Sequence, residues 1–157
     1  MSEKNPPAAA GLDKQPEEVS GMFDQVAARY DLTNDVMTFG QHRIWRRCLQ
    51  QVVAPRPGQK ILDIAAGTGT SSLGFHRAGA EVTCCDFSAG MVAEGKKRHR
   101  ELNFVVGDAH DLPFAEQSFD TVTCSFGFRN MHDPAKALRE LARVTKPGGK
   151  LAIMEFS

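Results

Sequence analysis

Apolar positions along the chain recur with two different periods, and the alternation between them predicts the fold. Val19, Met22, Phe23, Val26 and Ala27 are spaced by three and four, which predicts a helix over 19–30 with one buried stripe. Residues 31–34 interrupt it. A second helix from Asp35 onward carries Val36, Met37, Ile44, Trp45, Cys48, Leu49 and Val52, with a break expected at Phe39-Gly40. Pro55, Pro57 and Gly58 then turn the chain into Lys60-Ile61-Leu62-Asp63-Ile64, a short apolar run with strand character. Beyond it the pattern repeats. A helix over 71–78 is ended by Gly79, a strand covers 80–86, and a helix capped by Ser88 runs through Met91 and Val92 to His99. Strands follow over 103–106 and 119–125. Asp133 caps a helix with Pro134 at its first position, lined on its inner face by Leu138, Leu141, Ala142 and Val144. Lys146-Pro147-Gly148-Gly149 stops that helix before a last strand over 150–156.

Strands alternating with helices imply right-handed crossovers and a doubly wound, mainly parallel α/β sheet. The expected division is a flexible Pro- and Ala-rich tail over 1–17, a helical cap over 18–57 and an α/β ligand-binding domain over 58–157. Composition alters this little. Nineteen basic side chains balance nineteen acidic ones, so charge gives no reason to expect nucleic acid as a partner. The cysteines Cys48, Cys84, Cys85 and Cys124 lack C-x-x-C spacing and read as small hydrophobes in a reducing, cytoplasmic protein. No apolar run has the length of a membrane span, and no cluster points to a metal.

The candidate chemistry lies where strands end. Ile61-Leu62-Asp63-Ile64 runs into Ala65-Ala66-Gly67-Thr68-Gly69-Thr70, a strand, glycine turn and helix of the kind that presents backbone N–H groups to a nucleotide-like ligand. Successive strands bring Asp63, Asp86 and Asp108 to that edge, and Asp86 stands about 20 residues after the turn, the spacing that suits ribose hydroxyls. By itself that spacing also serves NAD. Two details turn away from a dinucleotide. The third glycine of G-x-G-x-x-G is missing, and Asp63 before the turn is a poor neighbour for a pyrophosphate. No Gly-Lys-Ser/Thr follows, so a P-loop is excluded. A cationic ligand without phosphates fits better: S-adenosylmethionine offers an ammonium, a sulfonium, a ribose and an adenine to an acid-rich site.

Leu62-Asp63-Ile64-Ala65-Ala66-Gly67-Thr68-Gly69 resembles the first motif of class I S-adenosylmethionine-dependent methyltransferases. Met22-Phe23-Asp24, Ala28-Arg29-Tyr30-Asp31-Leu32-Thr33-Asn34, Trp45-Arg46-Arg47, Gly107-Asp108-Ala109, Leu112-Pro113-Phe114, Ser125-Phe126-Gly127-Phe128-Arg129-Asn130 and Arg143-Val144-Thr145-Lys146-Pro147-Gly148-Gly149 narrow the resemblance. They are similar to the C-methyltransferases of menaquinone and ubiquinone biosynthesis. The resemblance implies a Rossmann-like fold. It places Gly67, Thr68 and Gly69 at the methionine part of the cofactor, Asp86 at the ribose, Asp108 and Ala109 near the adenine, and Ser125 at the end of the fourth strand.

The implied reaction is attack of a prenylated quinol ring carbon on the sulfonium methyl, converting demethylmenaquinol to menaquinol. The same chemistry on a methoxy-polyprenyl-benzoquinol is the alternative. Arg129 and Asn130 are expected to face the acceptor as catalytic residues, with Tyr30 and Asp31 closing over it; an arginine orients or stabilises charge because it cannot deprotonate. A structural ion pair is the competing reading of Arg129; His110 and His132 are each candidates for the base, with a solvated loop histidine as the competing reading. Peripheral membrane contact and a homo-oligomer are compatible with such a substrate. The family pattern continues past Ser157 with a further helical segment and two strands, so a C-terminally truncated chain with an exposed fifth strand is expected, and a non-catalytic cofactor-binding domain is a further alternative.

Overall fold

The computed structural model describes residues 41–155. The expected tail, the helix over 19–30 and the start of the second helix lie outside them. The elements are α1 (Gln41–Val53), β1 (Lys60–Ile64), α2 (Ser72–Arg77), β2 (Glu81–Asp86), α3 (Ala89–Arg98), β3 (Asn103–Val106), β4 (Phe119–Ser125), a 3-10 turn (Phe128–Asn130), α4 (Pro134–Val144) and β5 (Thr145–Met154). One five-stranded sheet has the order β3-β2-β1-β4-β5, with every neighbouring pair parallel. The winding direction reverses between β1 and β4. In an open parallel sheet the crevice beyond the strand ends at such a point is where a ligand is received.

Both faces are covered over the central strands β1, β2 and β4, which is why these are apolar on both sides, whereas Leu151 and Ile153 of the edge strand β5 are exposed. Ile61, Val82, Cys84 and Phe104 pack with Phe75 of α2, Val92 of α3 and Leu49 and Val53 of α1. Leu62, Ile64, Val122 and Cys124 pack on the opposite face with Leu141 and Val144 of α4. Adjacent Cys84 and Cys85 point to opposite faces, and no disulfide joins any of the cysteines. Burial pushes the thiols of Cys84, Cys85 and Cys124 up to about 12, so they are inert packing groups. Ser88 caps α3 by accepting from the Met91 N–H at 3.1 Å, and Asp133 caps α4 by accepting from the Lys136 N–H at 2.9 Å.

Three expectations are corrected. On α1 the buried residues are His42, Leu49 and Val53, whereas Ile44 and Val52 are 60% and 62% exposed and Cys48 is exposed. The inner line runs 42-45-49-53, because the Trp45 and His42 rings dock on Phe126 and fix the helix's rotation. Lys150 Nζ holds the other end, donating to the carbonyls of Val52 at 2.7 Å and Val53 at 3.1 Å. On α4 the inner face is Ala137, Leu141 and Val144, while Leu138 and Ala142 face outward; the small Ala137 lets the helix approach the sheet. Finally, β5 starts at Thr145 rather than at Lys150. The Pro-Gly-Gly segment forms an irregularity in the register, with Thr145 opposite Phe119 and Lys150 opposite Thr121. Lys146 Nζ, 3.0 Å from Asp120 Oδ1, closes over it.

Candidate active site

A cleft opens beyond the carboxyl ends of β1, β2, β3 and β4, and its two halves are built differently. The first half grows from the glycine turn. Ala65 and Gly67 both take left-handed backbone angles, φ 53° and 57°, which swing the chain away from β1. A Cβ on Gly67 would meet nothing within 4 Å, so that glycine opens toward the cleft. Gly69 serves a different purpose. A Cβ there would lie 2.7 Å from the Phe104 ring and 3.1 Å from Leu102, so its smallness serves core packing. Ser72 occupies the position of the missing third glycine. Its Oγ donates to Asp63 Oδ2 at 2.6 Å, while Thr123 Oγ1 donates to Asp63 Oδ1 at 2.8 Å. One carboxylate thereby ties β1 to α2 and β4.

Asp63 is buried at the base of the cleft. Burial raises its carboxyl to about 6; the two hydroxyl donors only partly counter that, and the charge of Asp86 adds to it. Asp86 is held by main chain: Gly67 N–H donates to Oδ2 at 2.8 Å and Ser88 N–H to Oδ1 at 2.9 Å. Asp108 follows β3. Burial pushes its carboxyl upward, but the hydrogen bonds from the backbone N–H and the ring of His110 outweigh this and hold it below the usual carboxylate range. The His110 ring is committed: Nδ1 lies 2.6 Å from Asp108 Oδ1, and Nε2 accepts the Asp133 N–H at 3.3 Å. It stacks on His132 with centroids 4.0 Å apart. The segment carrying Asp108 and Ala109 is fastened from α4, where Glu140 accepts the Leu112 N–H at 2.8 Å and Arg143 donates to the Phe114 carbonyl at 2.9 Å. Thr68 is buried and lines the cleft. Ser125 lines it as well, and its Oγ is buried with no hydrogen-bond partner among the described residues.

The second half is aromatic. After β4, Phe126 adopts φ 57°, an uncommon angle for a bulky residue, and its N–H donates to the Met154 carbonyl at 2.8 Å. The turn passes so near β1 that a Cβ at Gly127 would sit 2.3 Å from that of Ala65. Thus aimed, the Phe126 ring meets His42 edge-on at 5.1 Å and Trp45 at 5.3 Å. His42, Arg46, Phe126, Asn130 and Met131 line this side.

The strand ends therefore bring Asp63, Gly67, Thr68, Asp86, Asp108, Ala109 and Ser125 to one cleft, which Asn130 also lines. Gly69 supports the turn from behind. Arg129 is not among the lining residues; its side chain is 55% exposed, its Nε lies 3.7 Å from Glu155 Oε1, and its N–H donates to Glu155 Oε2 at 3.1 Å. Tyr30 and Asp31 lie outside the described residues. The sequence reading missed His42, Arg46 and Phe126. The available signal was an arginine four residues after His42, hence on the inward side of an otherwise packed helix.

A family model described as the ubiE/COQ5 methyltransferase family matches residues 11–157. The chain is 61% identical over 148 residues to the demethylmenaquinone methyltransferase of Streptomyces avermitilis, covering 94% of this chain and 64% of that protein. It is 57% identical over 148 residues to the same-named protein of Renibacterium salmoninarum, covering 94% and 62%. The chain thus spans 62% to 64% of the length of these curated relatives. Among solved structures, the cyclase SpnF superposes with a TM-score of 0.77 at 25% identity, over 89% of this chain and 60% of that one. Phosphoethanolamine N-methyltransferase 2 of Haemonchus contortus, in complex with S-adenosyl-L-methionine, superposes with a TM-score of 0.65 at 28% identity, over 69% and 27%.

Proposed function

The chain belongs to the ubiE/COQ5 methyltransferase family, and from that premise we propose that it binds S-adenosylmethionine and serves C-methylation of demethylmenaquinol to menaquinol. The observation that carries the reading is the acidic half of the cleft. Asp63, Asp86 and Asp108 line it, and no lysine or arginine stands at the glycine turn. A pyrophosphate would meet three carboxylates there, whereas a ligand with an ammonium, a sulfonium and a ribose would find acceptors.

The residues fit that cofactor. Asp63, raised to about 6 by burial, gains a reason to ionise when an ammonium approaches. Asp86, fixed at both oxygens by main-chain donors, stands at the cleft as an acceptor suited to ribose hydroxyls. Ser125 Oγ has its hydrogen-bonding capacity in reserve. Thr68 and the Gly67 turn would hold the methionine part, and Asp108 with Ala109 the adenine. When bound, S-adenosylmethionine would supply an electrophilic methyl group to the acceptor ring carbon, which would give up one proton to water.

The chain's own contribution is to align the acceptor ring and exclude bulk water. Asn130 lines the acceptor side and can hydrogen-bond a ring oxygen. Arg129, bound to Glu155, acts as a positioning residue for the short turn that carries Asn130. Tyr30 belongs to the acceptor side on the strength of the family resemblance alone. A soluble protein that meets its prenylated substrate at a membrane surface is part of the same proposal; no helix among the described residues is long and apolar enough to cross one.

The test is transfer of a labelled methyl group from S-adenosylmethionine to a prenylated naphthoquinol, beside a methoxy-benzoquinol, using the full 157-residue chain. Label in the naphthoquinol product is expected. Label only in the benzoquinol would reassign the acceptor, and cofactor binding without transfer to either would leave a cofactor-binding domain.

A further inference from the structure

The charge of the cleft is divided. Its carboxylates stand at the ends of β1, β2 and β3, while a guanidinium, Arg46, lines the same cleft from α1. Arg46 is half-buried, and no carboxylate pairs with it among the described residues. Elsewhere in the fold Arg129 reaches Glu155, and Arg143 is held by Glu140 at 2.7 Å. A half-buried cation without a counter-charge is costly unless something else answers it, and the space before it is the cleft itself.

Beside Arg46 stand the edge-to-face rings of His42 and Phe126, backed by Trp45 at 5.3 to 5.5 Å. The rotation of α1 that buries His42 and sets Trp45 against Phe126 also places Arg46 at the cleft, since residues 42 and 46 share a helix face. An aromatic wall beside a guanidinium suits a planar ring that bears an acidic oxygen. The rings take its face or edge, and the guanidinium takes the oxyanion.

We propose that Arg46, with the His42–Phe126 wall, forms the subsite that recognises the ionised ring oxygen of the methyl acceptor. This rests on the acceptor reading above and gives Arg46 the charge-stabilising part that the sequence suggested for Arg129. An oxyanion held there raises electron density at the ring carbons and selects hydroxylated rings over their ethers.

Trp45 is the single tryptophan of the chain and reports on the site directly. The probes are 2-hydroxy-1,4-naphthoquinone, which is anionic at neutral pH, and its uncharged 2-methoxy counterpart. With the full chain, the anion is expected to quench Trp45 at about tenfold lower concentration than the ether. Arg46→Gln should remove that preference, Arg46→Lys should keep part of it, and Phe126→Ala should weaken both ligands alike. Unchanged thermal melts of each variant show that the fold is intact. A preference that survives in Arg46→Gln, or no quenching by either probe in the unaltered chain, overturns the proposal. Calorimetry with S-adenosylmethionine on the same samples separates the two readings. Loss of cofactor binding with the Arg46-dependent preference intact would defeat the methyltransferase reading and leave the anion subsite standing.

Discussion

The two halves of the cleft differ in what holds them in place. In the acidic half, position is set by strand ends and mainly by main chain: the Gly67 and Ser88 N–H groups pin Asp86, and the His110 N–H donates to Asp108 Oδ1 at 2.9 Å, while the Ser72 and Thr123 hydroxyls hold Asp63. Each carboxylate lies at or just past a strand end, so the sheet itself fixes their mutual geometry. In the aromatic half, position is set by side chains packing across distant sequence, with His42 and Trp45 from α1 meeting Phe126 after β4, and with Arg46 and Asn130 lining the same cleft. A backbone-built site is stiff and suits a ligand that is the same in every turnover. A site built from side-chain contacts is free to vary with the acceptor.

The difference can be broken most severely at Asp86. Asp86→Ala removes the acceptor of two main-chain N–H groups and the ribose contacts together. S-adenosylmethionine affinity measured by calorimetry should fall by about 100-fold, while quenching of Trp45 by the naphthoquinone probe stays unchanged. Asp63→Asn comes next, with an affinity loss of about tenfold at neutral pH from the missing charge. It also carries a pH signature. The folded carboxyl sits near 6, above its ordinary 3.8, so the folded state binds the extra proton between those values. Stability of the ligand-free protein therefore declines as pH rises from 3.8 through about 6, and Asp63→Asn should flatten that decline in thermal melts.

Smaller effects sharpen the boundary between the halves. Glu140→Gln loosens the grip on Leu112 and Arg143, costing about 1 kcal/mol and weakening S-adenosylmethionine about threefold without touching the aromatic side. Ile44→Ser lies on the outward face of α1 and should change the melting free energy by less than about 0.5 kcal/mol. A large loss there would restore the inner face read from the apolar pattern.

The acidic half was legible in the sequence because its determinants are local. Asp63, Gly67, Asp86 and Asp108 are each defined by a strand followed by a turn, and β1, β3 and β4 lie where the pattern put them. What local spacing does not reveal is which glycine faces the cleft: Gly67 does, and Gly69 packs on Phe104. Nor does it reveal that Ser72 replaces a glycine in order to bind Asp63. The aromatic half was illegible for a tertiary reason. Ile44, Cys48 and Val52 form as good a helical stripe as the true one, and only the docking of Trp45 on Phe126 selects between them. Arg129 invited a catalytic role by following β4, and its partner Glu155 comes from beyond β5, a pairing that sequence spacing does not announce.

The most direct measurement is a calorimetric titration of the full chain with S-adenosylmethionine, and separately with NAD, across a range of pH. The expected result is binding of S-adenosylmethionine that strengthens as pH rises through about 6, where Asp63 ionises, with no comparable binding of NAD. Tighter binding of NAD, or an affinity for S-adenosylmethionine indifferent to both pH and Asp86→Ala, would contradict an acidic half built for a cationic cofactor.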